Sequence, residues 1–145
     1  MKQLIAALTL LAGTGLVMAQ ATPVGLWKTI DDETKTEKSL VRITEAGGVL
    51  SGRVEKIADL TKQDSTCDKC TDERKDKPVV GMVILRNARP DADKSVWDGG
   101  DILDPNNGKV YKLRLTLVDG GKKLDVRGFI GFALLGRTQT WLRVE

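Results

Sequence analysis

The sequence predicts an all-β protein, an eight-stranded antiparallel up-and-down β-barrel. Three observations carry this expectation. Short segments with alternating apolar and polar residues recur along the chain, divided by Gly-, Asn- and Asp-rich turns. No amphipathic stretch of useful helical length lies between them, which argues against the βαβ units of a parallel sheet. The regular region opens on Gly25-Leu26-Trp27 and ends on an apolar, glycine-punctuated run, Gly128 to Glu145, that finishes with Trp141 and Arg143. If these two ends meet, the sheet closes. Eight strands is also the number at which a barrel either fills with its own side chains or holds one small ligand.

The elements follow in order. Residues 1–21 read as a signal peptide: Lys2 begins a basic n-region, Leu4 to Val17 carries no charge, and Ala19-Gln20-Ala21 has the small-x-small spacing of a cleavage site. Fourteen apolar residues fall short of the roughly 20 that a membrane-spanning helix needs. No transmembrane segment is therefore expected, and residues 22–145 are expected to form a single barrel domain. GLWKTI (25–30) is the first strand, and the charged run 31–38 is a solvated turn or a ragged edge. In SLVRIT (39–44), Val41 and Ile43 share one face. VLSGRVEKI (49–57) follows a Gly47-Gly48 turn. Residues 58–77, heavily charged and holding the only two cysteines, form a long excursion with a short helical turn near Ala58 to Thr61. PVVGMVILR (78–86) is the fourth strand and 87–94 a loop. SVWDGGDIL (95–103) is a strand bent by a bulge at Gly99-Gly100. The Asp104-Pro105-Asn106-Asn107-Gly108 turn leads to KVYKLRLTLV (109–118), whose Tyr111, Leu113, Leu115 and Leu117 alternate with Lys112, Arg114 and Thr116. KLDVRGF (123–129) and residues 137–144 complete the set.

Gly25-x-Trp27, Pro78-Val79-Val80-Gly81, GGDILDPNNGKVY (99–111) and VRGFIGFALLGRTQTWLRV (126–144) stand in an order that resembles a family of small exported bacterial proteins, domain of unknown function 2147. That family is similar to the calycins, the ligand-holding barrels that include the lipocalins. The resemblance implies a calycin or lipocalin-like barrel and no particular activity. In lipocalins a Gly-x-Trp on the first strand packs under an Arg from the last, and Gly25, Trp27 and Arg143 match that pattern. Unlike a lipocalin, this chain is short and shows no helix beside its last strand, and the Cys67–Cys70 pair is not a lipocalin disulfide. A guanidinium over an indole is worth about 0.5–2 kcal/mol in any fold.

Composition removes several function classes. The chain has 23 Lys and Arg against 20 Asp and Glu; without Lys2 the balance is 22 to 20, which calls for neither nucleic acid nor an anionic membrane. The absence of His excludes Ser-His-Asp and Cys-His catalysis and the usual zinc sites. No catalytic residue, metal or cofactor is therefore expected, and an enzyme is disfavoured. Cys67-x-x-Cys70 admits a redox centre, a zinc half-site or a structural disulfide. An oxidising destination favours the disulfide, which would contribute about 2 kcal/mol and pin the polar loop rather than the core. Asp98, Asp101 and Asp104 are read as turn chemistry, with a Ca²⁺ site or a hydrolytic carboxylate pair as the alternatives. Among Arg53, Arg127 and Arg137, alternation turns Arg127 outward, and Arg137 is the best placed to meet an anionic head group.

The leading expectation is an exported, periplasmic, non-catalytic protein that binds a small hydrophobic or amphipathic molecule, such as a fatty acid or other lipid. Arg137, Phe129, Phe132, Leu134 and Tyr111 are the candidate ligand residues. Residues 128–136 are a candidate membrane or protein contact. The alternative is a structural or interaction module of the cell envelope with a filled barrel and no ligand.

Overall fold

In the computed structural model of the chain, which describes residue 13, residues 21–132 and residues 135–145, eight strands close into one antiparallel barrel in sequential order. They are β1 (Gly25–Ile30), β2 (Glu37–Ala46), β3 (Val49–Ile57), β4 (Val83–Pro90), β5 (Val96–Asp104), β6 (Lys109–Val118), β7 (Lys123–Phe129) and β8 (Gly136–Arg143). Each strand pairs with the next, and β8 returns to β1. The expected signal peptide, apart from residues 13 and 21, lies outside the described residues, and so does Leu134.

Strand alternation builds the core. One face of every strand turns inward, and along those faces Trp27, Val41, Ile43, Leu50, Leu85, Leu113, Leu115, Leu124 and Trp141 are at most 2% exposed. Two indoles and a ring of aliphatic side chains therefore fill the barrel axis. The bulge expected at Gly99-Gly100 is present, as a register shift between Asp98 and Gly100.

The fourth strand departs from expectation. It covers Val83–Pro90, not 78–86. The apolar residues before it fold back onto β3 and the excursion: Gly81 N–H donates to the Val54 carbonyl (2.7 Å), Val54 N–H donates to Met82 (2.9 Å), and Pro78 bridges Thr66. Residues 87–90, read as loop, continue the strand, with Asn87 in the left-handed region at φ 61°. Asn is one of the few side chains that tolerate that conformation.

The excursion between β3 and β4 is a second correction. A 3₁₀ turn over Leu60–Lys62 is capped by the Asp59 carboxylate, which accepts from Thr61 N–H at 3.0 Å. Cys67 and Cys70 then form a disulfide (Cα–Cα 5.4 Å) that sits in the hydrophobic core, 0% and 1% exposed. It anchors to the core a segment expected to be only a polar loop. The excursion reaches the β5–β6 turn at Gly108, which has φ +74°; a Cβ there would lie 1.9 Å from the Lys69 carbonyl oxygen. Only glycine permits that approach.

The closing seam is short. β1 pairs with β8 at Trp27↔Arg143 and Lys28↔Leu142, and Leu26 adds backbone bonds to Val144 and Glu145. On its other side β8 pairs with β7 over the whole of Lys123–Phe129. β1 shifts register against β2 between Thr29 and Ile30, the point at which its pairing with β8 has ended.

Candidate functional site

The alternating strand directions give the barrel two unlike ends. At one end lie the chain before β1, the turns at 47–48, 91–95 and 119–122, and the C-terminus. At the other lie the loops 31–36, 58–82, 105–108 and 130–135.

The first end is sealed. The Arg143 guanidinium carbon stands 4.3 Å from the centroid of the Trp27 ring. Its nitrogens donate to the carbonyls of Gly121 (2.6 Å), Val24 (2.8 Å) and Thr22 (2.5 Å). The Trp27 indole N–H donates to Pro23 O at 2.7 Å. Gly25 is tied to the same arrangement: with φ +143°, a Cβ there would meet the Glu145 carbonyl at 2.3 Å and Arg143 Nη1 at 2.7 Å. No carboxylate neutralises Arg143 among its hydrogen bonds, and burial pushes its pKa down.

The second end is a mouth. Inward positions on β8 change from apolar to polar as the strand reaches it. Trp141 is buried, Gln139 is half-buried and Arg137, opposite the inward Gly128, is exposed. The Trp141 indole N–H lies 3.4 Å from Gln139 Oε1. The Arg137 guanidinium clasps the Asp32 carboxylate on the β1–β2 turn through two nitrogens, Nε at 2.8 Å and Nη2. The hydrogen bond from Arg137 holds the Asp32 carboxyl below the usual carboxylate range, with a smaller contribution from Gln139, and Asp32 in turn raises the pKa of Arg137. Thr29 and Ser39, on the neighbouring strands, share a hydroxyl hydrogen bond of 2.8 Å. Across the mouth the inward positions are apolar or aromatic: Ile57, Ile102 and Tyr111, all half-buried. The Tyr111 hydroxyl meets Asn107 Nδ2 at 3.1 Å.

The candidate ligand residues thus separate. Arg137 and Tyr111 both face the mouth, across Gly128, whose Cβ position would lie 3.3 Å from the Tyr111 Cβ. Phe129 pairs with Lys112 on the outer face, because the inward parity of β7 falls on Leu124, Val126 and Gly128. Phe132 stands on the β7–β8 loop, 78% exposed, beside exposed Ile130 and Leu135. Arg127 faces out and donates to Thr138 Oγ1 at 3.0 Å; Arg53 faces out and donates to the Gly81 carbonyl. The aspartates do not converge. Asp98 pairs with Arg114 (3.7 Å), Asp101 with Arg86 (3.6 Å), and Asp104 Oδ1 accepts from Asn106 N–H in the turn. Asp32 and Gln139 escaped sequence reasoning. Asp32 lies in a charged run that looks solvated, and Gln139 could have been found from its shared parity with Trp141 and Arg137.

Two grooves lie outside the barrel wall. One, of about 520 Å³, runs between the excursion and β4 and is lined by Arg74, Lys77, Pro78, Met82, Val83 and Arg86, among others. Arg74 is buried there, donating to Asp72 and to the Val83 carbonyl, and Arg86 joins Asp72 and Glu73. The hydrogen bonds from Arg74 hold the Asp72 carboxyl at about 2. The other, of about 400 Å³, lies over the β5 bulge. Arg74 and Arg86 of the first groove already face carboxylates, so it reads as the joint that fixes the excursion to the barrel.

Among the described residues no helix is long and apolar enough to cross a membrane. No curated protein matches the chain. Among solved structures, protein HP1028 from Helicobacter pylori, described as belonging to the lipocalin family, matches with a TM-score of 0.75 at 20% identity, over 86% of this chain and 84% of that one. At that identity the likeness establishes a shared lipocalin-like fold. The family model of uncharacterized proteins conserved in bacteria, DUF2147, matches residues 25–143, from the glycine beneath Arg143 to Arg143 itself, and the chain belongs to that family.

Proposed function

We propose that the chain is an exported, periplasmic, non-catalytic binding protein that takes a small amphipathic ligand at the mouth of its barrel. One observation carries this reading. The inward positions at the mouth are half-buried or, at Arg137, exposed, and they divide into a polar side (Gln139, Arg137, Ser39) and an apolar side (Ile57, Ile102, Tyr111). A ligand with one polar and one apolar end matches that division. Deeper seating is disfavoured, because Trp27, Trp141 and the aliphatic side chains occupy the axis. The lipocalin-like fold is consistent with the reading without establishing it. The export address rests on residues 1–21.

The test is titration of the protein with dodecanoate and with dodecanol, followed by tryptophan emission. Trp141, whose indole N–H points at Gln139, is the reporter. A saturable change that Trp141→Phe removes is expected. No saturable binding of either amphiphile, by emission or by native mass spectrometry, would reject the proposal.

The packed axis favours a second reading, an interaction module of the cell envelope with a filled barrel. Native mass spectrometry of protein drawn from its own envelope separates the two. A retained small molecule supports the first reading, and a stoichiometric protein partner without one supports the second.

A further inference from the structure

We infer that the ligand at the mouth carries an anionic, carboxylate-like head group, and that this group replaces Asp32 on Arg137, so that the β1–β2 turn is a latch released by ligand. The inference rests on the mouth-binding reading and specifies its chemistry.

The β1–β2 turn does not need Asp32 in order to form. Its neighbour Asp31 organises it: Asp31 Oδ1 accepts from Glu33 N–H (2.9 Å) and Thr34 N–H (2.8 Å), Lys35 N–H donates to Asp31 O, and Asp31 N–H donates to Thr36 O. Asp31 is thus spent on the turn, and Asp32 projects across to β8. The seam it crosses has no strand pairing beyond Lys28↔Leu142. Among the described residues, the turn reaches β8 through Asp32 on Arg137 and Gln139, with Glu33 further off at 3.8 Å from Arg137. The joint is therefore made of side chains, and these can exchange partners without breaking a ladder.

The chemistry fits exchange of like for like. Arg137 offers two nitrogens in a planar fork, and its present partner is a carboxylate. The Arg137 side chain is 60% exposed, so an incoming head group can reach it. The Asp32 side chain is 21% exposed, so the pair is open to solvent mainly at Arg137; a partly exposed ion pair is worth little, which makes a swap of one carboxylate for another nearly neutral in free energy. The ligand's apolar contacts at Ile57, Ile102 and Tyr111 then decide the outcome. A neutral head group cannot take the place of Asp32 and must bind with the latch shut.

The experiment measures dodecanoate and dodecanol affinities for the full mature chain, for Asp32→Asn and for Arg137→Gln, with thermal unfolding of each variant as the control for folding. Expected results are similar binding of dodecanoate and dodecanol by the unaltered protein, where a nearly neutral swap gives the acid no advantage, and a gain of about three- to fivefold for dodecanoate in Asp32→Asn, the size of a partly exposed ion pair. Dodecanol affinity should not move. In Arg137→Gln the acid should bind no better than the alcohol, and adding Asp32→Asn to it should bring the acid no gain. If Asp32→Asn leaves dodecanoate unchanged or weakens it, or if it strengthens dodecanol by as much as dodecanoate, the latch is overturned while mouth binding stands. Failure of both amphiphiles to bind overturns the mouth reading and the latch with it.

Discussion

Arg143 and Arg137 lie six residues apart on the same inward face of one strand, and the barrel uses them in opposite ways. Arg143 sits over Trp27 and spends its donors on backbone carbonyls from the N-terminal segment and the β6–β7 turn. Arg137 has a side-chain carboxylate for a partner and stands mostly in solvent. Carbonyls of the backbone at the closed end are fixed in place, so Arg143 is locked there. A carboxylate on a turn can leave, so Arg137 is available. A guanidinium is a fastening or a site according to whether its acceptors are fixed.

The largest expected effect tests the fixed end. Arg143→Ala removes the cation–π contact and strands three carbonyls, at a cost of about 2–4 kcal/mol. For a domain of this size that lowers the melting temperature by roughly 10 °C, readable by calorimetry. Arg143→Lys should recover only part of it, since an ammonium cannot reach three carbonyls in one plane. A loss below about 1 kcal/mol for Arg143→Ala would erase the contrast between the two ends.

The excursion sharpens the comparison, because it fixes one side of the mouth. Replacing Cys67 and Cys70 together with Ala should cost about 2 kcal/mol on the loop-entropy argument. Both sulfurs are buried. Thiol labelling after addition of reductant should therefore follow denaturant-induced unfolding instead of proceeding in the native state. Ready reduction of the folded protein would revive the redox reading of the C-x-x-C.

Arg74 is intermediate: it is held away from solvent, more fully than half-buried Arg143, yet paired with a carboxylate like Arg137. Asp72 has its pKa lowered from 3.8 to about 2 in the folded state, chiefly by Arg74. Because the folded value lies below the unfolded one, the pair's contribution is complete above about pH 4 and is lost as pH falls toward 2. Its size is about 1–2 kcal/mol, allowing for the partial exposure of Asp72. Asp72→Asn should lower stability by that amount at neutral pH, by only a small part of it at about pH 2 and by nothing well below that, as measured by urea unfolding at a series of pH values.

The sequence made the fixed end easier to read than the mouth. Alternation marked the inward faces of β6 and β7, and Gly25, Trp27 and Arg143 belong to a pattern in which each member constrains the others. What alternation could not supply was where apolar residues pack outside a ladder. Residues 78–82 look like a strand, but their backbone partners are Val54 and the excursion. The disulfide looked peripheral because its neighbours in sequence are charged, whereas the fold turns those charges outward and the sulfurs inward. Asp32 was hidden by distance: its partner Arg137 lies 105 residues away, and nothing local separates it from Asp31, which does an entirely different job.

The smallest expected effect decides whether the mouth is a site at all. Asp32→Asn should change stability by less than about 1 kcal/mol, and by less still at 1 M salt, where exposed charges are screened over about 3 Å. Lowered pKa of Asp32 and raised pKa of Arg137 both mean that the folded protein favours the charged pair. The Asp32 contribution is thus present above the unfolded carboxylate pKa and fades as pH falls below it. If Asp32→Asn instead costs as much as Arg143→Ala, the clasp between β1 and β8 is part of the barrel's closure. The seam would then be held shut by structure, a ligand would have to supply that free energy in order to open it, and the two arginines of β8 would be two fastenings of one strand. A small, salt-sensitive loss leaves Arg137 held only by a partner that can be displaced, and an anionic ligand must find it so.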